Sequence, residues 1–358
     1  MPVELRLLLR RISFPAGVIL YLLGSVASAQ SPNALLPGPK PPDVPEHWKP
    51  WIGDYGTESV NFTVGELKGH LLIIDNHAEK WDLPWLPIEE SVTAEWTSTS
   101  RVIVRFLRDP SGTQELLTND LGWSKKTYGV DDQHVARMKP VHPINELRSL
   151  ALAAKAPVES GSFRKPELVE LAPNNPSIHF DIRYATANDF LGTAVYSQAR
   201  AFLQRPAADA LLRVQQKLKP LGYGLLIHDA YRPWYVTKIF WEATPPEGKI
   251  YVADPAQGSR HNRGCAVDLT LYDLATGKPI EMPGTYDEMS PRSFPNYPGG
   301  TSLQRWHRDL LRRAMESEGF TVYESAWWHF DYKDWRDYPI LNVPFEKLDS
   351  GSRATSVY

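Results

Sequence analysis

The sequence predicts an α+β domain in the C-terminal half of the chain, preceded by a small, mostly antiparallel β domain. From about Trp51 to Tyr128, the runs "SVNFTV", "HLLII", "TAEWTS" and "RVIVRFL" alternate apolar and polar residues, which is typical of strands with one buried face. From about Phe163 onward, apolar residues at helical spacing alternate with compact apolar runs. At 358 residues, the chain is long enough for two such domains.

Local signals predict the individual elements in chain order. "DPSG" between two strand-like runs is typical of a hairpin turn, and "INELRSLALAAKAPVE" predicts a helix that ends before Pro157. "AADALLRVQQKLKP" predicts a helix that stops at Pro220, and "YGLLIHDAY" predicts a buried strand. "RPWYVTKIFWEA" carries Pro233 where a first helical turn tolerates proline. "SLQRWHRDLLRRAMESEGF" has an apolar helical stripe, with Gly319 as its C-terminal stop.

The first residues have the composition of an export signal. Arg6, Arg10 and Arg11 precede the uncharged run "FPAGVILYLLGSV", and Ala27 and Ala29 stand in the A-x-A arrangement that signal peptidase favours. The alternative is a membrane anchor, which the short run disfavours because a spanning helix needs about 20 apolar residues. We predict cleavage after Ala29, no stable membrane insertion of the mature chain, and a periplasmic or secreted location.

These signals divide the chain into five segments. They are a signal peptide at 1–29, a proline-rich linker at 30–50, the β domain at 51–138, a connecting segment at 139–162 and the α+β domain at 163–358. The net charge of −3 gives no reason to expect nucleic acid as a partner. Because Cys265 is the only cysteine, no internal disulfide is possible, and we predict that it packs as a small apolar side chain.

The stretch "SRHNRGCAVDLTL" and the distant "WWHF" contain a candidate metal site. His261 and Asp268 lie seven residues apart, and Gly264 between them permits a tight turn. Two histidines and one carboxylate are a common ligand set for catalytic zinc, with the fourth position left for water. The spacing alone leaves open that His261 and His329 are packed or solvent-touching residues. Asp268 favours a metal, because a carboxylate on an apolar strand is costly unless it is paired.

Five motifs together resemble a known family. "RYATANDFLG", "DAYRPW", "SRHNRGCAVDLTL", "TYDEMS" and "WWHFDY" occur in the order found in the zinc D-alanyl-D-alanine dipeptidases, the group that includes the vancomycin-resistance dipeptidases. The resemblance covers roughly Phe163 to Leu348. It implies an α+β zinc peptidase domain, one Zn²⁺ per chain and a small dipeptide substrate from cell-wall metabolism.

The resemblance also implies roles for particular residues. It assigns the three zinc ligands to His261, Asp268 and His329, the stabilisation of the tetrahedral intermediate to Arg232, and the substrate ammonium group to Ser259 and Asp287. Tyr184 in "IRYAT" is expected to help close the small pocket. From the residues alone, an ion pair with Asp229 is the favoured interpretation of Arg232, and Tyr184 fits a core tyrosine equally well.

The sequence departs from the family at Ala326. The family carries a glutamate three residues before the last histidine, and this glutamate transfers protons during hydrolysis. Whether the alanine is natural or engineered, loss of a general base typically costs about 10²- to 10⁴-fold in rate. Glu324 is a candidate substitute, but on a strand it would lie about 6.6 Å from position 326. It is otherwise a solvent-facing charge. The chain is therefore expected to be an impaired dipeptidase or, alternatively, a protein that binds dipeptides or wall fragments.

The β domain contains several tryptophans, at positions 81, 85, 96 and 123. Such residues stack on sugars in some secreted modules, but packing into the small core is the favoured interpretation. The sequence indicates no partner for this domain.

Overall fold

The computed structural model describes residues 32–57, 61–75, 86–88, 94–96, 102–108, 114–118, 121–171 and 177–348. The predicted signal peptide, the "DPSG" turn, Trp81, Trp85 and the side chain of Trp96 lie outside the described residues. The described residues belong to one compact unit that begins at Pro32. In this part of the chain, no helix combines the length and the apolar composition that crossing a bilayer requires.

Fifteen strands and four α-helices make up the regular structure of the described residues. The strands are β1 (Gly53–Gly56), β2 (Asn61–Leu67), β3 (His70–Asp75), β4 (Leu86–Ile88), β5 (Ala94–Trp96), β6 (Val102–Arg108), β7 (Gln114–Thr118), β8 (Leu121–Ser124), β9 (Leu168–Glu170), β10 (Ile178–Phe180), β11 (Phe202–Gln204), β12 (Tyr223–Asp229), β13 (Ala266–Asp273), β14 (Phe320–Tyr323) and β15 (Ala326–Tyr332). The helices are α1 (Ile144–Ala153), α2 (Arg205–Leu218), α3 (Trp234–Ala243) and α4 (Ser302–Glu316).

The region before the C-terminal domain is built from two antiparallel sheets. One has the strand order β1-β2-β3-β4, and the other has the order β5-β6-β7-β8. Tyr55, Phe62, Val64 and Leu71 of the first sheet are buried in a small core, and Trp123 packs against it. The predicted antiparallel β region is therefore confirmed. Of the four tryptophans considered above, Trp123 has a described side chain, and it is a packing residue.

The C-terminal domain is organised around a mixed five-stranded sheet of order β10-β12-β13-β15-β14. β10 runs parallel to β12, and the other neighbouring pairs are antiparallel. β12 is buried along its whole length, and β13 is buried along all but its last residue. This burial explains why apolar residues predominate in both strands. α4 begins with a capping box between Thr301 and Gln304, which satisfies two free backbone N–H groups. The mixed α and β content predicted for this half is confirmed.

The first β-sheet is joined to the start of α4 by buried polar contacts. Glu66 N–H donates to the Gly300 carbonyl at 3.0 Å, and the Glu66 carboxylate accepts from Ser302 N–H at 2.7 Å. The Asp54 carboxylate accepts from Tyr297 Oη at 2.7 Å. The antiparallel region is therefore packed against the C-terminal domain.

The proline-rich segment is also part of the packed body. Leu35 and Val44 are buried, Lys40 Nζ donates to Tyr223 Oη at 2.8 Å, and Trp306 Nε1 donates to the Gly38 carbonyl at 3.0 Å. Composition predicts a plain linker, but Leu35 packs into the core of the C-terminal domain and Val44 into the core of the first β-sheet.

The register of the central sheet brings three chemically active residues into one row. Asp229 at the end of β12 pairs with Asp268 on β13, and Asp268 pairs with His329 on β15. His261 lies in a short 3₁₀ turn just before β13, and Gly264, at φ +67°, lets the chain turn into that strand. Residues far apart in sequence thus converge at one point of the sheet.

We predict that Gly264→Ala destabilises the fold more than Gly277→Ala does. Both glycines have left-handed backbones, with φ of +67° and +70°, so an alanine costs about 1–2 kcal/mol at either position. A Cβ at Gly264 would also lie 2.4 Å from Leu168 Cδ2, whereas nothing lies within 4 Å of one at Gly277. The crowding at Gly264 should add about 1–3 kcal/mol. Urea unfolding of the metal-free proteins measures both losses, and equal losses would contradict the steric argument.

Candidate metal centre

His261, Asp268 and His329 point one atom each at a common centre. His261 Nε2 lies 3.0 Å from His329 Nδ1 and 3.3 Å from Asp268 Oδ1, and His329 Nδ1 lies 3.0 Å from Asp268 Oδ1. Ligands of a tetrahedral zinc ion with bonds of about 2.0–2.1 Å are separated by about 3.3 Å. The observed triangle therefore has the size that zinc requires.

The other nitrogen of each histidine is held by an acceptor. His261 Nδ1 lies 2.6 Å from the Ala230 carbonyl, and His329 Nε2 lies 2.9 Å from Asp331 Oδ1. Because these oxygens can only accept, the two nitrogens must carry hydrogen. In the neutral rings the nitrogens that face the centre then have free lone pairs. Metal-bound histidines usually have such a partner, which fixes the tautomer and the ring orientation.

The two oxygens of Asp268 have different surroundings. Oδ2 accepts from Tyr286 Oη at 3.0 Å and lies 3.7 Å from Arg232 Nη2. Oδ1 is buried and has no aligned hydrogen-bond donor among the described residues. Burial raises the pKa of Asp268, but the two histidines outweigh burial and hold the pKa well below its ordinary value. An ionised, buried oxygen without a donor fits a bound cation, and two nitrogens with one oxygen suit Zn²⁺ better than Mg²⁺ or Ca²⁺.

Arg232 forms an ion pair and also borders the pocket. Its Nε and Nη2 donate to Asp229 Oδ2 at 3.0 and 2.8 Å, and Asp229 also accepts from Tyr196 Oη at 2.6 Å. The guanidinium carbon lies 4.7 Å from the centre of the Phe240 ring. Burial opposes the charge of Arg232, but the carboxylates hold its pKa well above the ordinary value. The ion pair thus fixes a permanent cation beside the metal triangle.

Asp287 also borders the pocket, on a left-handed backbone with φ of +60°. Its Oδ1 lies 3.0 Å from Tyr184 Oη, whereas Oδ2 is buried and has no partner among the described residues. Burial and the nearby charge of Asp268 raise the pKa of Asp287 well above its ordinary value. Without a ligand the surroundings of the carboxyl group therefore favour its protonated form, and a cationic group beside it would favour the ionised form.

Two tyrosines connect this carboxyl group with the metal triangle. Tyr184 Oη lies 3.0 Å from Tyr286 Oη, and Tyr286 Oη in turn lies 3.0 Å from Asp268 Oδ2. If Asp287 carries a proton, each of the three contacts has one donor: Asp287 donates to Tyr184, Tyr184 donates to Tyr286, and Tyr286 donates to Asp268. Ser259 also borders the pocket, and its Oγ accepts from His261 N–H at 3.2 Å.

Ala326 borders the pocket, but Glu324 does not. Glu324 and Ser325 form the two-residue turn between β14 and β15, and Tyr323 pairs with Ala326 across that turn. The Glu324 side chain is exposed to solvent, while Ser325 borders the pocket. The assumption that positions 324 and 326 share one strand is therefore wrong, and Glu324 matches the solvent-facing alternative.

The pocket brings together all the predicted site residues except Glu324. Its free volume is about 90 Å³, and its walls include Tyr184, Arg232, Ser259, His261, Asp268, Asp287, Ala326 and His329. Sequence reasoning missed Tyr286 and Asp331. Asp331 follows His329 by two positions on one strand, a spacing that places both on the same face and could have indicated the pair. Cys265 is buried, in line with its prediction as a packing residue.

Comparisons with known proteins find relatives of the C-terminal half of the chain. The family model described as D-Ala-D-Ala dipeptidase matches residues 164–347. A D-alanyl-D-alanine dipeptidase of Escherichia coli K12 is 38% identical over 179 residues, which are 50% of this chain and 91% of the relative. Proteins of the same name from Enterococcus faecalis V583 and Streptomyces coelicolor are 35% and 33% identical. These matches cover 44% and 46% of this chain, and 87% and 93% of the relatives.

We predict that the affinity for Zn²⁺ rises with pH up to about pH 9. Burial lowers the pKa of His329, but Asp331 and Asp268 outweigh burial and raise the pKa to about 9 in the metal-free site. The proton is held below this pKa and lost above it, so at lower pH zinc must displace it. The apparent affinity should rise by about tenfold per pH unit between pH 7 and 9. Chelator competition at several pH values measures this slope, and a flat profile would contradict it.

We predict that Tyr286→Phe weakens Zn²⁺ binding by about 10- to 100-fold, because Asp268 Oδ2 loses the donor that orients the carboxylate. Tyr231→Phe is the matched control, since Tyr231 is also buried but its hydroxyl donates to the Val343 carbonyl at 3.0 Å. Chelator competition gives both affinities. Equal effects of the two variants would show that Tyr286 acts only through packing.

Proposed function

Because the chain belongs to the D-Ala-D-Ala dipeptidase family, we propose that it is a zinc-dependent dipeptidase of cell-wall metabolism whose turnover is strongly reduced. One observation carries this proposal: the metal triangle, Arg232, Ala326 and an Asp287 oxygen without a partner among the described residues border one small pocket. The family resemblance implies that position 326 is the one at which the family carries its proton-transferring glutamate. The proposed substrate is a dipeptide of the D-Ala-D-Ala type.

The binding step is supported by the charges of the pocket. His261, Asp268 and His329 would hold Zn²⁺. The ion would polarise the peptide carbonyl of the substrate and lower the pKa of a bound water molecule. Asp287 and Ser259 would receive the ammonium group of the dipeptide, and Tyr184 fixes Oδ1 of that carboxylate. An ammonium group replaces the proton that Asp287 otherwise carries. This requirement favours dipeptides over longer chains that have no free amino terminus near the scissile bond.

For the chemical step, the pocket has a residue that would stabilise the developing negative charge, but position 326 has no group that can transfer a proton. Arg232 is held by Asp229 with its guanidinium at the pocket, where a developing oxyanion would be stabilised without reorganisation. At position 326 a methyl group can neither accept a proton from water nor donate one to the leaving amine. Glu324 is exposed, so it supplies no replacement.

A second candidate function is a binding protein on the same scaffold. Ala326 favours it, because every group that would bind a metal or a dipeptide is present while the proton carrier is absent. Such a protein would capture dipeptides or wall fragments without useful turnover. For either function we propose a location outside the cytoplasm. The proposed signal peptide precedes the domain, and the proposed ligands derive from the cell wall.

We predict that Ala326→Glu raises the release of D-alanine from D-Ala-D-Ala by about 10²-fold or more, because it restores a proton carrier beside the scissile bond. The rate is measured at saturating zinc for the parent, for Ala326→Glu, and for His261→Ala in the Ala326→Glu background. The last variant should lose both zinc and activity.

The parent chain distinguishes the two candidate functions. Slow hydrolysis that rises in the Glu variant supports the impaired dipeptidase. If neither protein hydrolyses the dipeptide while calorimetry shows that both bind it with zinc, the binding function is supported. Parent turnover equal to that of the Glu variant would contradict the role assigned to position 326.

A further inference from the structure

A second chamber adjoins the pocket on the side of Asp287. Its volume is about 200 Å³, and four residues, Phe190, Tyr251, Asp287 and Met289, border both the chamber and the main pocket. A water molecule occupies roughly 30 Å³ in the liquid, so the chamber has room for several waters or for a branched side chain. The shared walls place this room directly beside Asp287, whose Oδ2 has no hydrogen-bond partner among the described residues.

One wall of the chamber comes from outside the family-matched part of the chain. Tyr128, Ala136 and Met138 border it, and all precede residue 164, where the family match begins. Hydrogen bonds fix this wall: Met138 N–H donates to the Phe190 carbonyl at 2.8 Å, and Thr285 Oγ1 donates to the His134 carbonyl at 2.7 Å. The region before the family match therefore supplies one wall of the chamber, and the family-matched domain supplies the others.

The chamber walls are predominantly apolar. Tyr128, Ala136, Met138, Phe190 and Met289 present rings, methyl groups and thioethers. The guanidinium of Arg137 is occupied elsewhere, because Nε donates to Asp131 Oδ2 at 2.9 Å and Nη1 donates to the Ala187 and Asp189 carbonyls at 2.7 Å. Glu247 is exposed at the margin. An apolar group gains more in such a space than a charged group does.

We propose that this chamber receives the side chain of the amino-terminal residue of the dipeptide and selects a bulky apolar residue over alanine. The inference rests on the proposed function, in which Asp287 receives the ammonium group. The ammonium nitrogen and the side chain of that residue share one carbon atom. Once the nitrogen lies at Asp287, this side chain therefore starts beside the chamber, whereas the second residue lies towards the metal triangle.

Calorimetry on the zinc-loaded full chain tests the proposal by comparing D-Leu-D-Ala with D-Ala-D-Ala. Leucine adds three carbon atoms that the chamber would bury, so D-Leu-D-Ala should bind roughly 10- to 50-fold more tightly. Ala136→Leu fills the chamber and should remove this preference while D-Ala-D-Ala still binds. Met138→Ala enlarges the chamber and should keep the preference. Ala136→Val is a smaller filling change, and thermal unfolding confirms that each variant is folded.

The outcomes separate the two proposals. If D-Ala-D-Ala binds but D-Leu-D-Ala binds no more tightly, the chamber is not a side-chain site, although the proposed function stands. If Ala136→Leu weakens both dipeptides equally, the chamber does not discriminate between side chains. If the zinc-loaded chain binds neither dipeptide, the proposed function fails and the chamber proposal fails with it.

Discussion

The pairing of Asp268 with His329 across β13 and β15 is the constraint on which the rest of the site depends. It places an ionised carboxylate inside an apolar sheet, where an unpaired charge costs several kcal/mol. The fold offsets that cost from every side: His261 approaches through the turn at Gly264, Tyr286 donates to Oδ2, and Arg232 lies beyond it. What is left is Oδ1, which faces the two histidine nitrogens and no donor among the described residues. The electrostatics of the folded chain thus favour a cation at this point, and its binding would stabilise the native state.

The two halves of the pocket are connected through hydroxyl groups. Asp287 and Asp268 are linked by Tyr184 and Tyr286 with a distance of 3.0 Å at each contact. With a proton on Asp287, Tyr184 accepts from Asp287 and donates to Tyr286. If an ammonium group replaced that proton, Tyr184 would instead donate to the Asp287 carboxylate. Because Tyr286 also orients the carboxylate that faces the metal position, occupation of one end changes the hydrogen bonding at the other. Two functional ends that look separate in sequence therefore share one network.

The sequence was informative where chemistry and local spacing coincide. His261, Gly264 and Asp268 lie in one short motif, and a carboxylate within an apolar strand indicated that it needed a partner. The helices α2, α3 and α4 were predicted because their apolar spacing and proline or glycine signals act locally. Tyr286 gave no such signal, since its contact with Asp268 arises only when the loop after β13 folds back over the sheet. The position of Glu324 was predicted wrongly because the turn at Glu324 and Ser325 contains no glycine. Without that signal, residues 324–330 resemble one continuous strand.

The alanine at position 326 removes a charge as well as a base. A glutamate there would add a further carboxylate to a pocket that Asp268, Asp287 and Glu288 already border, and like charges in a small buried pocket raise one another's pKa values. In the chain as it stands, the metal position and the ammonium position are each served by one carboxylate, with Arg232 as the fixed cation between them. Under the proposed function, the groups that bind a cation and a zwitterionic dipeptide are present, whereas the proton carrier for hydrolysis is not. Because a divalent cation faces only one carboxylate in the triangle, replacement of the alanine by glutamate should strengthen metal binding together with turnover. For this reason the rates of the two forms are comparable only when both are saturated with zinc.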